Sequence, residues 1–197
     1  TAGYTDQEGI IMNTGLERYS FRLNLKSELA KRLVLQLNTS YSQTEQKQTS
    51  HSQSSSMNQM VRRILTTKPT LMPGDQIYED ENVEYVPADN PYIMATELKD
   101  ILQQRFFILN ASLTYNFGKG LSWKGAGSFN RTDGSRSTYY PIGTNAGNSA
   151  HGMAFRGEDN RQNIVLETTV NYDRKFKKHH HINAVLGYTH EDRQRKT

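Results

Sequence analysis

Two short clusters contain residue types that could hold a metal ion. His179, His180 and His181 are consecutive, and imidazole nitrogen is a common zinc ligand. They stand at the start of a predicted strand, where successive side chains point to opposite faces, and the chain has no cysteine to complete a site. The acidic run 79–82 offers oxygen ligands for calcium but lacks the glycine and the spacing of a recognised calcium loop. We therefore predict no metal and no cofactor.

Aromatic residues in one predicted loop could contact a ligand. Tyr139 and Tyr140 precede Pro141, and Phe155 follows in the same loop. Aromatic rings stack on sugars and peptides, although they also cover apolar loop surface. We take these three aromatic residues as candidate substrate contacts. The sequence shows no nucleophile with a base and no paired catalytic carboxylates, so we do not expect an enzyme.

The basic charge of the chain raises the question of nucleic-acid binding. The formal net charge is +4 and the pI is about 9.2, but 20 acidic residues are scattered among the basic ones. The densest basic run, 174–178, lies in a predicted short turn and is typical of a solvated loop. An oligonucleotide-binding barrel needs basic and aromatic residues on the same strand face, whereas here they alternate. We expect no nucleic-acid partner.

Six stretches of the chain alternate apolar and polar residues with period two. Successive strand side chains point to opposite faces, so each stretch puts its apolar residues on one face and polar ones on the other. We predict that the apolar face lies in lipid, through Phe21, Leu23, Leu35, Leu37, Leu109, Leu113, Leu166, Val170 and Leu186. Aromatic residues near the strand ends are typical of interfacial girdles. These are Tyr41, Tyr115, Trp123, Tyr172 and Tyr188.

The connections between the predicted strands alternate in length. Segments 26–32, 118–120 and 173–181 are short, whereas 43–103 and 130–162 are long, and the two kinds fall at opposite ends of the sheet. Bacterial outer-membrane barrels have short periplasmic turns and long extracellular loops. The predicted fold is all-β: an antiparallel meander of about seven strands covering residues 1–197, a partial segment of a large transmembrane β-barrel with short helices in its long loops. Loops 43–103 and 130–162 are predicted to be extracellular.

Both predicted helices fall in the first long loop. Over 54–67, apolar residues recur with the spacing of one helix face. A second helix begins at Asn90, which caps it, and continues through Met94, Leu98, Ile101 and Leu102.

Composition restricts the alternatives. The chain is 35% hydrophobic with a mean hydropathy of -0.78, and no run approaches the roughly 18 apolar residues of a spanning helix. A helical membrane protein is thereby excluded. A soluble β-sandwich that binds carbohydrate stays open as the alternative, with its apolar faces packed on each other.

Segments at both ends of the sequence read as incomplete strands. Segment 4–11 resembles the end of a strand, and 188–197 stops within another. We expect an internal piece without signal peptide, plug or closing C-terminal strand. Such a piece would self-associate through its edge strands.

The first strands resemble a known family. Residues 3–11, Gly-Tyr-Thr-Asp-Gln-Glu-Gly-Ile-Ile, and 17–25, Glu-Arg-Tyr-Ser-Phe-Arg-Leu-Asn-Leu, look like the early barrel of the SusC/RagA family of TonB-dependent outer-membrane transporters. Asn90-Pro91-Tyr92, segment 109–115 and segment 120–124 resemble the helical loop, strand and turn that follow in that family.

The resemblance implies a location and partners. Members place an N-terminal plug inside a large barrel of about 22 strands in the outer membrane. They import glycans or peptides with energy from TonB, beneath a SusD-like surface lipoprotein. The expected partners are thus that lipoprotein, TonB, an oligosaccharide or peptide ligand, and outer-membrane lipid.

Overall fold

A computed structural model describes residues 1–48, 64–65, 67, 70, 72, 77–78, 87–88, 90–176 and 180–197. Its strands are β1 (Ala2–Glu8), β2 (Gly15–Ala30), β3 (Leu33–Gln48), β4 (Ile77–Tyr78), β5 (Pro87–Ala88), β6 (Lys99–Gly118), β7 (Leu121–Tyr140), β8 (Met153–Phe176) and β9 (His180–Lys196). Two short helices, α1 (Pro91–Thr96) and α2 (Asn145–Asn148), precede β6 and β8.

Seven of the strands form one antiparallel sheet in the order β1-β2-β3-β6-β7-β8-β9. Each strand pairs with the next long strand of the chain, so the sheet is a meander, as predicted. Connections 9–14, 49–98 and 141–152 lie at one end, which we call the upper end. Connections 31–32, 119–120 and 177–179 lie at the lower end. The predicted separation of long and short connections is therefore present.

The strands extend further toward the upper end than the sequence predicts. Residues 131–140 of β7 pair with 153–162 of β8, so the second long connection is 141–152 rather than 130–162. Likewise, β3 continues to Gln48 and β6 begins at Lys99, so the first is 49–98 rather than 43–103. Backbone hydrogen bonds continue the ladder where the apolar pattern stops.

Helix α1 confirms the predicted cap but ends earlier than expected. The Asn90 side chain accepts a hydrogen bond from the Tyr92 N–H at 2.9 Å, and Pro91 fills the first helical position. Ile101 and Leu102, placed in this helix from the sequence, belong to β6 and pair with Lys47 and Gln46. Most of the predicted helix 54–67 lies outside the described residues; Ile64 and Leu65 are described and are helical.

The described residues contain almost no buried apolar core. Met94, Ala95 and Leu98 are the apolar residues buried there. On the sheet, by contrast, Phe21 is 48% exposed and Leu186 is 76% exposed. A β-sandwich would bury such a face against a second sheet. Apart from this sheet, the described part of the chain has the two-residue pair β4-β5. The sandwich alternative therefore has no support in this fold.

The tight turn between β6 and β7 at the lower end explains why glycine occupies positions 118 and 120. Lys119 adopts a positive φ of 54°, with Gly118 at 89° and Gly120 at 88°. Glycine adopts this region without strain. A Cβ at Gly120 would also collide with the backbone carbonyl of Asp173 on β8.

Candidate membrane face and lumen rim

The register places the predicted lipid-facing residues on one face of the sheet. Leu37 pairs with Leu25 and Ala111, Leu113 with Leu35, and Val170 with Leu186. Phe21, Leu23, Leu109 and Leu166 alternate in step with them, as do the predicted girdle residues Tyr41, Tyr115, Trp123, Tyr172 and Tyr188. We call this the apolar face and the opposite one the polar face.

Trp123 lies flat on the apolar face near the lower end. Its indole N–H donates a hydrogen bond to the Thr168 hydroxyl at 2.8 Å. A Cβ at Gly125 would lie 2.9 Å from the Trp123 ring, so the glycine leaves room for the indole. An amphipathic ring with a satisfied N–H suits a membrane interface.

The upper limit of the apolar band moves in one direction across the sheet, downward from β2 to β9. On each strand the band ends below the first charged, amide or imidazole side chain. The last residues of the band are Tyr19 on β2, Tyr41 on β3, Phe107 on β6, Phe129 on β7, Ile164 on β8 and Tyr188 on β9.

This shift gives the tilt of the strands from the normal of a membrane that contains the band. The residues in register with Tyr19 are Gln43, Arg105, Asp133, Asn160 and Lys196. Relative to this row, the band ends about 4 residues lower at Ile164, which is four strands away from β2. It ends about 8 residues lower at Tyr188, which is five strands away from β2. At about 3.3 Å per residue and about 4.8 Å per strand, these slopes correspond to about 35° and about 48°. Transmembrane barrels have tilts of about 35–45°.

The polar face forms a concavity of about 430 Å³ near mid-height. Its lining includes Gln36, Asn38, Asn110, Ser112, Lys124 and Glu167. These side chains offer hydrogen-bond donors and acceptors, which suits contact with water or a polar protein surface.

An ion pair with a buried carboxylate lies on the polar face at the upper end. The Asp100 side chain is fully buried and accepts two hydrogen bonds from Arg136, at 2.8 Å from Nε and 2.6 Å from Nη2. The Thr138 hydroxyl donates a third, at 3.3 Å. The hydrogen bond to Asp100 raises the pKa of Arg136 above its usual value, so the guanidinium stays charged. This bidentate geometry fixes the upper ends of β6 and β7 to each other.

Helix α1 connects the three upper loops. Asn13, in loop 9–14, donates from its side-chain amide to the carbonyls of Ala95 and Thr96 at 3.1 and 3.3 Å. Ile11 packs against the buried pair Met94 and Ala95. In loop 141–152, a Cβ at Gly143 would lie 2.7 Å from the Ile93 Cδ1 atom, so glycine permits this close approach.

The structure separates the three predicted substrate contacts. The rings of Tyr140 and Phe155 meet edge to face, with centroids 6.3 Å apart, on the polar face. Tyr139 lies on the opposite face, with its hydroxyl close to Gly152. Phe155 is 54% exposed. Tyr140 and Phe155 thus present one aromatic surface next to Arg136, and Tyr139 is not part of it.

Sequence reasoning missed a cluster of arginines on the polar face. Arg161 on β8 is in direct register with Arg195 on β9, and Arg193 precedes Arg195 by two residues. Asp159 lies 2.7 Å from Arg161 and 2.8 Å from Arg195. Hydrogen bonds from Arg195 and Arg161 hold the pKa of Asp159 below its usual value. The spacing of Arg193 and Arg195 by two residues, which puts them on one strand face, was visible in the sequence. The sequence prediction assigned residues up to 162 to a loop, so it did not place Arg161 on a strand.

Among the described residues, no three acidic, histidine or cysteine side chains gather into a metal site. His179 and the acidic run 79–82 lie outside those residues. No helix in the described ranges is both long enough and apolar enough to cross a membrane.

A tilted meander with an exposed apolar band, aromatic limits and a polar concave face has the architecture of a transmembrane β-barrel wall. Comparisons with known proteins specify the kind of barrel. The chain is 23% identical over 196 residues to TonB-dependent receptor P3 of Formosa agariphila, covering 97% of this chain and 19% of the receptor. No family model matches the chain.

Solved structures show the same fold. A structure of the RagAB peptide transporter matches with a TM-score of 0.72 and 20% identity over 96% of this chain and 22% of that chain. The RagAB peptide importer in its open-open state matches with a TM-score of 0.62 and 17% identity, over 98% and 22%. The chain thus spans about a fifth of the proteins it matches.

The solved structures confirm the fold predicted from the sequence, and the name of the curated relative agrees with the resemblance to TonB-dependent transporters. The relatives are a receptor and a transporter rather than enzymes. They also agree with the predicted outer-membrane location.

Proposed function

We propose that the chain is a wall segment of an outer-membrane, TonB-dependent transporter, and that the whole protein imports oligosaccharides or peptides. The observation that carries this proposal is the slanted, exposed apolar band opposite a polar concave face. In this arrangement the band contacts lipid and the concave face contacts the lumen and its plug. The name of the RagAB peptide transporter supports a peptide ligand for that relative, and the sequence resemblance supports glycans as well.

The upper end then faces outside the cell. A SusD-like surface lipoprotein would cover this end, where the three upper loops meet on α1, and TonB would act from the periplasmic side. The asymmetry of the connections supports this orientation, because the short turns of such barrels are periplasmic.

The proposal is tested on the full-length protein that contains this chain. Membrane fractionation should place it in the outer membrane, and its gel mobility should change on boiling, as for a closed barrel. Deletion of its gene should then abolish growth on one class of oligosaccharide or peptide. Recovery of the full-length protein in the soluble fraction would contradict the proposal.

Within this function, Tyr140 and Phe155 are the proposed ligand contacts. Stacking is worth about 0.5–1.5 kcal/mol per aromatic contact, so Tyr140→Ala with Phe155→Ala should weaken binding of the growth substrate about tenfold or more. Tyr139→Ala, a neighbouring aromatic on the opposite face, is the matched control and should leave binding unchanged. If Tyr139→Ala weakens binding as much as the double change does, Tyr140 and Phe155 are not the ligand contacts.

A further inference from the structure

The arginine cluster on the polar face contains more positive than negative charge. Arg161, Arg193 and Arg195 share Asp159 and Glu191, since Arg193 donates to Glu191 at 2.7 Å and the other two arginines contact Asp159. Three guanidinium groups therefore face two carboxylates.

The direct cross-strand pairing of Arg161 with Arg195 is unfavourable by itself. Like charges opposite each other destabilise a sheet; the Asp159 carboxylate bridges the two guanidinium groups but neutralises only one of their two charges. On the apolar face above the band, Arg131 pairs with Asp133 at 2.9 Å and Arg156 pairs with Glu158 at 2.9 Å, so each of these two arginines has its own acid. In the cluster on the polar face, three arginines share two acids instead.

In this wall segment the guanidinium groups are exposed on the polar face. Their side chains are 58%, 75% and 59% exposed for Arg161, Arg193 and Arg195. A guanidinium has five N–H donors, and one nitrogen of each group makes the ion-pair contact. The remaining donors can bind a carboxylate or a sulfate in the bidentate geometry that arginine favours.

Neighbouring charges on the same face do not cancel the excess. Above the cluster, Arg136 is neutralised by Asp100. Below it, Lys124 and Glu167 line the concavity together, one of each sign. The local balance therefore stays positive.

We propose that Arg161, Arg193 and Arg195 bind a carboxylate of the transported ligand. This inference rests on the proposed function, which turns the polar face toward the lumen. The aromatic pair Tyr140 and Phe155 lies further up the same face, so one elongated anionic ligand would meet the rings first and the arginines below them.

The test uses the purified full-length transporter in detergent and calorimetric titration with four probes. Hexagalacturonate and hexaglutamate carry carboxylates on a sugar and a peptide backbone; maltohexaose and hexaglycine are their neutral counterparts. We expect one anionic probe to bind and its neutral counterpart not to bind, which also identifies the backbone. Binding should weaken as salt rises.

Substitutions test whether the three arginines form the binding site for the anionic probe. Arg161→Gln, Arg193→Gln and Arg195→Gln together should weaken the anionic probe by about tenfold or more, because charge-assisted hydrogen bonds are lost. The matched control, Arg131→Gln with Arg156→Gln, removes two arginines from the apolar face and should leave the affinity unchanged. If the triple variant does not fold, Arg193→Gln alone, the most exposed of the three, should weaken binding about threefold or more.

Two results would overturn the inference: a folded wild-type transporter that binds neither anionic probe, or variants that bind it as tightly as wild type does. Heat-modified gel mobility and outer-membrane fractionation of the same samples separate this failure from failure of the proposed function. A barrel in the outer membrane without anion binding refutes the arginine site alone, whereas a soluble parent refutes both.

Discussion

Asp100 and Arg136 form the best-defined polar contact of the upper end, and their exposures differ. The Asp100 side chain is fully buried, whereas the Arg136 side chain is 38% exposed. Loss of the arginine leaves a buried carboxylate without its cation, which typically costs about 3–5 kcal/mol. Loss of the carboxylate leaves a guanidinium that water can reach, at a smaller cost.

We therefore expect Arg136→Gln to open the upper end of β6 more than Asp100→Asn does. Amide hydrogen exchange of residues 99–104 in the full-length protein measures this opening. Faster exchange in Asp100→Asn than in Arg136→Gln would contradict the account.

Asn13 combines a side-chain role with a backbone role. Its φ is 59°, and its amide donates to the two carbonyls at the end of α1. Asn13→Gly removes the hydrogen bonds, worth about 0.5–1.5 kcal/mol each, but keeps the backbone conformation. Asn13→Ala removes them and adds about 1–2 kcal/mol of backbone strain.

Exchange protection of the α1 amides should thus fall in the order wild type, Asn13→Gly, Asn13→Ala. Unchanged protection in both variants would show that Asn13 does not hold the helix.

Some site residues were predictable from the sequence and others were not. Tyr140 and Phe155 were found as aromatics in one segment, but alternation was not applied to them because 130–162 reads as a loop. The same boundary concealed Arg161, whose partner Arg195 lies on another strand. The register shows which residues of different strands lie next to each other. It follows from the pairing of distant segments, so the local sequence does not contain this information.

At the level of elements, strand identity came from the apolar alternation and strand length did not. Within the band, Leu33, Leu35 and Leu37 alternate with polar residues, and this signal is strong. Above the band both faces are polar, as at Thr132 and Asp133, so the pattern gives no sign that the ladder continues. Ile101 and Leu102 misled the helix prediction, because short apolar runs fit either element until pairing decides.

The two faces of β3 predict opposite responses to charge. Leu37 lies on the apolar face near the middle of the band, so Leu37→Lys should destabilise the barrel by about 2–4 kcal/mol in lipid. Asn38→Lys, one residue along and on the polar face, is the matched control, for which we expect a change within about 0.5 kcal/mol. Denaturant titration of the full-length protein refolded into vesicles gives both values. Equal destabilisation would mean that the two faces share one environment.

At the scale of the whole molecule, the isolated 197-residue chain is expected to behave as an open sheet. β1 and β9 are the edges of the described sheet, and both present unpaired backbone groups. The apolar face adds a large exposed hydrophobic surface. We predict that this chain, expressed alone, either self-associates or retains detergent. Light scattering that shows a monomer free of detergent would contradict this prediction.

The central claim is that the apolar face contacts lipid, and lipid quenching along β6 tests it most directly. Single cysteines placed at each position from 107 to 115 of the full-length protein, on a background without other cysteines, would carry a fluorophore in vesicles of brominated lipid. The account predicts strong quenching at Phe107, Leu109, Ala111, Leu113 and Tyr115 and weak quenching at the residues between them. Uniform quenching, or strong quenching at Asn110 and Ser112 instead, would contradict it.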